Sequence, residues 1–418
     1  MYQKHQIKNG IRIVTEEIPY INSVSVGIWV RVGSRNEESN INGVSHFIEH
    51  MLFKGTEKRN AKEIANSIDK IGGQLNAFTA KESTCYYAKV LDSHFDIALD
   101  VLADMFLNSN FVKEEIEKEK GVIMEEINMY EDSPEDLVHD LFSQGVWSGN
   151  PLGMSILGTE ESLNALNRDS IFDYYKSNYI PENIVISVVG NIKHEVVVEK
   201  VEKQFRDLAS SSKKISIIEK PSFDPIRITR SKKTEQVHLC IGFEGVETNN
   251  DSFYPLLTMN NIFGGAMSSR LFQNIREDKG LAYSVFSYPS AYQDCGLYSI
   301  YAGMKTTQLK TVTHLIMDEI HEIMAKGLTE EELYDSKEQM KGSYTLGLES
   351  TSGRMISIGK SELMHDRIYS PAEVLEKIDK VEMDSVNKAI RTVFDLNRMG
   401  GAVIGAFDKK VDLKDILK

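Results

Sequence analysis

The chain contains one pattern twice, and this limits its fold more than any other feature. His50-Met-Leu-Phe-Lys-Gly55 aligns with Asn260-Asn-Ile-Phe-Gly-Gly265, and Phe111-Val-Lys-Glu-Glu115 with Leu328-Thr-Glu-Glu-Glu332. Asp169-Ser170 preceding Val188-Val-Gly190 aligns with Asp384-Ser385 preceding Val403-Ile-Gly405. The offsets are 210, 217 and 215 residues. Each alignment alone is weak, but their order and near-constant offset predict one fold used twice. A chain of 418 residues also exceeds what a single core normally serves. We therefore expect domains at 1–212 and 225–418. A linker is expected at 213–224, near Ser210-Ser-Ser-Lys-Lys214, Pro221 and Pro225.

Hydropathy patterning predicts the content of each domain. Strands are expected at 8–14, entered through an Asn9-Gly10 turn, and at 23–32, 76–79, 85–91 and 184–189. Helices are expected at 43–52, 61–71, 93–108, 112–130 and 169–179. The fold class is α+β: two homologous α/β-layered domains, each a mixed, mostly antiparallel sheet packed with helices.

Composition narrows the function. Hydrophobic content of 41% and charged content of 26% are those of a globular protein. A net charge of −14 without a basic cluster argues against nucleic acid as a partner. Cys85, Cys240 and Cys295 are widely spaced and form no C-x-x-C pattern, so reduced thiols and a cytoplasmic location are expected. The N-terminal residues lack an apolar signal region, and no run of 18 apolar residues occurs, so neither a signal peptide nor a membrane partner is expected.

Chemistry concentrates at residues 46–50, His-Phe-Ile-Glu-His. On a helix, His46 and His50 stand one turn apart on one face, with Glu49 angled toward the same side. Two neutral imidazoles at this spacing can occupy two corners of a tetrahedral Zn²⁺ site, and a carboxylate that is not a ligand can serve as base for a metal-activated water. H-x-x-E-H is the inverted form of the zinc-peptidase motif H-E-x-x-H. A third ligand must come from elsewhere. In the acidic helix at 112–130, Glu119, Val122, Ile123 and Glu126 fall on one stripe that is half apolar. Glu126 and Glu119 are therefore the inward-facing acids and the candidates for that ligand, whereas Glu125 reads as exposed.

His46-Phe-Ile-Glu-His50-Met-Leu-Phe-Lys-Gly-Thr56, followed by Glu119-Lys-Gly-Val-Ile-Met-Glu-Glu126-Ile, resembles the inverzincin family. That family includes pitrilysin, insulin-degrading enzyme and the mitochondrial processing peptidase. The similarity spans about residues 5 to 407, in the style of a short bacterial processing-peptidase-like branch. The family's third ligand lies about 76 residues beyond the second His, which falls on Glu126. The resemblance implies one Zn²⁺ per chain on His46, His50 and Glu126, with Glu49 as general base and Glu119 supporting the site from behind. It implies that Asn76, Ala77 and Phe78 form an edge strand to which an extended peptide substrate adds. It also implies that Arg276 and Tyr283 donate to peptide carbonyls across a chamber.

Under the repeat, His46, Glu49, His50 and Glu126 correspond to Leu256, Met259, Asn260 and Ser343, so the second half is expected to be metal-free. Larger relatives close their chamber from four such domains, and a chain supplying two suggests a homodimer. The function implied is zinc-dependent endopeptidase action on unstructured peptides or presequence-like segments. The rival reading is a non-catalytic assembly subunit of the same family, against which the intact motif speaks.

Overall fold

The computed structural model describes residues 2–210, 219–407 and 411–417. The first part of the expected linker, 213–218, lies outside the described residues. In the first half the elements run β1 (Tyr2–Gln6), β2 (Arg12–Glu17), β3 (Ser23–Val30), α1 (Val44–Leu52), α2 (Ala61–Asp69), β4 (Gln74–Thr79) and β5 (Thr84–Leu91). They continue as α3 (Phe95–Asn108), α4 (Lys113–Asp132), α5 (Pro134–Val146), α6 (Glu160–Ala165), α7 (Arg168–Asn178), β6 (Ile184–Gly190) and α8 (His194–Phe205). The second half repeats the plan with β7 (Arg227–Ser231), β8 (Val237–Glu244), α9 (Phe253–Asn260), β9 (Ala282–Ala291) and β10 (Gly296–Met304). It ends with α10 (Leu309–Lys326), α11 (Glu330–Gly347), α12 (Thr351–His365), α13 (Pro371–Asp379), α14 (Met383–Val393), β11 (Gly400–Gly405) and α15 (Leu413–Ile416).

The sheets carry the duplication. One has strand order β1-β2-β6-β3-β5-β4 and the other β7-β11-β8-β10-β9. Removing β1 leaves the same order in both. Each has one parallel pair, β2 with β6 and β11 with β7, and is otherwise antiparallel. The fold is α+β with two repeated mixed sheets, as expected. One strand differs from expectation. Asn9-Gly10 turns a hairpin between β1 and β2, with Gly10 at φ +110°. Alternation in the polar strand β1 was invisible because four of its five residues are exposed.

The compact units are not the two halves of the chain. Unit 1 comprises 1–127, 154–218 and 345–370, and unit 2 comprises 128–153, 219–344 and 371–418. The helices α5 and α12, which occupy corresponding places in the repeat, are exchanged. In unit 1, Met355, Ile358 and Leu363 of α12 bury against Trp29, Val185 and Val189 of the sheet. In unit 2, Leu137, Val138 and Phe142 of α5 bury against Cys240, Ala402 and Ile404. The opposite face of each sheet holds that unit's main core. Central strands are thus covered on both sides, which is why seven of the eight residues of β3 are buried.

The exchanged helix α12 approaches its sheet closely. A Cβ at Gly359 would overlap the Trp29 indole and the Ser187 hydroxyl, which are themselves hydrogen-bonded at 2.9 Å. Polar contacts pin its ends: Arg354 to Glu16 at 2.6 Å, and Arg12 to both Asp366 and the Glu362 carbonyl. Gly359→Val is therefore expected to cost about 1–3 kcal/mol through overpacking. A lowered midpoint in thermal or urea unfolding is the result to look for, and an unchanged midpoint would contradict this packing.

Candidate metal centre

Helix α1 buries Val44, Ser45, Phe47, Ile48, Met51 and Leu52, which leaves His46, Glu49 and His50 on its one partly open face. The helix has no side-chain cap of its own. Its N-cap residue Gly43 has φ +93°, and a Cβ there would sit 2.6 Å from the Leu157 carbonyl oxygen. The cap comes instead from the buried Glu37, which accepts from the Ser45 N–H at 2.8 Å, the Gly43 N–H at 2.7 Å and the Asn42 amide at 2.9 Å. Burial pushes the Glu37 carboxyl up to about 7, against the opposing pull of these donors.

Facing α1 is α4, whose buried residues are Ile116, Glu119 and Ile123. Here one expectation is corrected. Val122 is 46% exposed, so the inward line runs through 116, 119, 123 and 126. Alternating steps of three and four follow the helix, and a residue one place off that line rotates into solvent. Glu125 is exposed, as expected.

Three donors converge between the two helices. Glu126 Oε2 lies 3.7 Å from His46 Nε2 and 3.7 Å from His50 Nε2. The three ligand atoms all lie within 4.8 Å of one another, and they form the one such His/Cys/Asp/Glu group among the described residues. A tetrahedral zinc site with bonds of about 2.0–2.1 Å separates its ligand atoms by about 3.3–3.4 Å, so this donor set fits the ion with small adjustments. His50 Nδ1 is bonded to Glu119 Oε1 at 2.8 Å, leaving Nε2 for a ligand. Glu119 is buried, and its other oxygen meets Lys54 Nζ at 2.6 Å. The His46 ring stands edge-on to that of His50, with centroids 4.5 Å apart.

Electrostatics point the same way. Burial, reinforced by His50, holds His46 down at about 4, so its imidazole is neutral. Burial also disfavours charge on His50, but the Glu119 hydrogen bond and the carboxylates of Glu126, Glu119 and Glu49 outweigh it and raise its pKa. Glu119 goes the other way: burial would raise it, yet the bonds from His50 and Lys54 keep it low. Three carboxylates against one lysine is a pocket that favours a cation. Glu49 is raised by burial, opposed by a 2.5 Å hydrogen bond from the Thr79 hydroxyl.

Strand β4 ends its sheet and pairs only with β5 among the described residues. Asn76 is exposed, and Ala77 and Phe78 are half-buried. Phe78 packs edge-on against Trp29, with centroids 5.6 Å apart. Arg276 and Tyr283 belong to unit 2, where the guanidinium stacks 4.9 Å from the Tyr283 ring and 4.6 Å from that of Phe272. Tyr283 is 77% exposed. In that unit the counterparts of His46 and Glu49 are Leu256 and Met259, both buried, and that of His50 is Asn260, which accepts from Ser287 at 2.8 Å.

Residues 12–160 match the family model described as insulinase, peptidase family M16, and residues 165–340 match the M16 inactive domain. A protein of Bacillus subtilis named as an uncharacterized zinc protease is 49% identical over 94% of this chain and 96% of its own length. The chain belongs to the M16 peptidase family. A second M16 relative, also named an uncharacterized zinc protease, comes from Streptomyces coelicolor and is 41% identical over 97% of this chain and 89% of its own. The fold is shared with a protease from Helicobacter pylori, at a TM-score of 0.91 and 20% identity over 97% of this chain and 99% of that one.

Three residues of this M16 site escaped the sequence reading. Glu37 caps α1 from nine positions before His46, with no motif to mark it. Thr79 lies in the strand segment already singled out, but a lone hydroxyl carries no spacing signal. Lys54 sits inside the His46–Thr56 stretch, and only the fold shows that it reaches Glu119.

Proposed function

We propose that this M16 chain is a zinc-dependent endopeptidase that hydrolyses unstructured peptides or presequence-like segments. The observation that carries the reading is the convergence of His46 Nε2, His50 Nε2 and Glu126 Oε2, with the Glu49 carboxylate on the same helix face. His46, His50 and Glu126 would hold one Zn²⁺ per chain, and that ion, when bound, supplies Lewis-acid polarisation of a carbonyl and activation of water. Glu49 takes the proton of the attacking water and returns it to the leaving amine, and its raised pKa suits a base that must also act as an acid. Glu119 fixes the tautomer and orientation of His50.

Substrate recognition rests on β4. Its free edge offers main-chain groups to an extended peptide, beside Asn76, Ala77 and Phe78. Arg276 and Tyr283 of unit 2 serve as donors to peptide carbonyls. The catalytic half is 1–212, and the metal-free half, 225–418, completes the chamber in a homodimer. The three cysteines are buried and not joined in disulfides, which suits a cytoplasmic protein. No helix among the described residues is long and apolar enough to cross a membrane.

Metal analysis combined with cleavage of an unstructured peptide library tests the reading. One zinc per chain and chelator-sensitive cleavage are expected, and a zinc-loaded protein without hydrolysis would overturn it. Sedimentation is expected to show a dimer. Tyr283→Phe is expected to slow peptide cleavage while leaving zinc bound. A fully active monomer, or rapid cutting within stably folded proteins, would remove the chamber from the proposal.

A further inference from the structure

The 2.5 Å bond from Thr79 to Glu49 joins the last residue of the peptide-accepting strand to the catalytic helix. Both side chains are short, and hydrogen bonding tolerates only a few tenths of an ångström in separation. Something must hold the end of β4 and the helix α1 at a set distance. The residues between β3 and α1 do this from both sides.

At one end of that segment, the Ser34 N–H donates to the Ala80 carbonyl at 3.2 Å and the Arg35 N–H to the Lys81 carbonyl at 2.8 Å. The buried Arg35 guanidinium then pairs with Glu82 at 2.6 Å. A Cβ at Gly33 would overlap the Ala80 carbonyl, so the backbones meet where no side chain fits. At the other end, Glu37 receives the first-turn N–H groups of α1. Five consecutive residues, 33–37, are thus bonded both to the turn that closes β4 and to the start of the helix carrying Glu49.

We propose that Thr79 is a positioning residue for Glu49, and that residues 33–37 are the brace that keeps strand and helix at the separation this hydrogen bond requires. The inference rests on the endopeptidase reading for the role of Glu49. Fixing Oε2 on Thr79 removes the rotation of the carboxylate and leaves Oε1 as the oxygen that handles the proton. The strand that pairs with the substrate and the group that attacks it would then share one mechanical link.

Thr79→Val removes the hydroxyl at nearly constant shape, and Thr79→Ser keeps it. In metal-free protein, the orientation of the Glu49 carboxylate is read from crystal structures of the wild type and each variant. It is expected to lose its single orientation in Thr79→Val and to keep it in Thr79→Ser. In zinc-loaded protein, Thr79→Val is expected to lower kcat by about 10-fold or more. KM is expected to stay within about twofold, and Ser to restore kcat. Arg35→Met is expected to reproduce the kcat loss, and adding Thr79→Val to it to cost nothing further. Should Arg35→Met fail to fold, Glu82→Gln breaks the same ion pair from its more exposed side. An unchanged single orientation of the Glu49 carboxylate in Thr79→Val overturns the positioning role, and additive losses overturn the brace. If zinc-loaded wild type cleaves no peptide, the endopeptidase reading falls, while the metal-free structures still decide whether Thr79 orients Glu49.

Discussion

Glu49→Gln is expected to keep its zinc and lose peptide hydrolysis by about 100- to 10,000-fold. The amide occupies the same volume and still accepts the Thr79 hydroxyl through its oxygen, so the local structure should persist. What it cannot do is take a proton. Glu49 belongs to neither of the imidazole pairs with Glu126, so metal content should be that of the wild type. The two measurements must be made on the same sample, zinc by elemental analysis and turnover on a peptide. Full activity in a zinc-loaded Glu49→Gln protein would remove Glu49 from the role of base.

Zinc affinity should fall in a definite order across the remaining acids and imidazoles. His50→Ala is expected to abolish stoichiometric zinc, because it deletes a ligand and also strands Glu119, whose charge is buried and satisfied by His50 and Lys54. Glu126→Gln removes the one carboxylate that lies 3.7 Å from both imidazoles and should weaken zinc severely. Glu119→Gln leaves all three donors in place and disturbs only the orientation of His50, a change that typically costs about 10–100-fold in metal affinity or activity. Titration with a competing chelator resolves these steps. If Glu119→Gln proved more damaging than Glu126→Gln, the assignments of ligand and supporting carboxylate would have to be exchanged.

Much of the candidate site is legible in the chain because its chemistry is local. His46, Glu49 and His50 are placed by a single helical turn, and any helix over those residues puts them on one face. Glu119 and Glu126 are selected in the same way, by two turns of α4. Even there the boundary of the face was misjudged at Val122, since hydropathy marks a stripe but not its centre, and one residue of rotation moves a side chain by about 100°. The convergence of the two helices on each other, with three donors within 4.8 Å, is a tertiary fact.

The sequence alone determined that one fold occurs twice, that one copy carries the metal-binding residue types and that the other has lost them. Periodicity and spacing suffice for this, because they act within an element or between elements in fixed order. Only the tertiary structure decided which sheet each helix covers. The helices α5 and α12 have equivalent apolar faces, the two sheets present equivalent surfaces, and nothing in either pattern states that each helix covers the sheet of the other half. Only the fold brought Glu37 under α1, Lys54 to Glu119 and Thr79 to Glu49, across separations that leave no period to read. Hydrophobic burial specifies that a face must be covered, whereas the partner that covers it, and the polar groups caught at the seam, depend on where the whole chain packs.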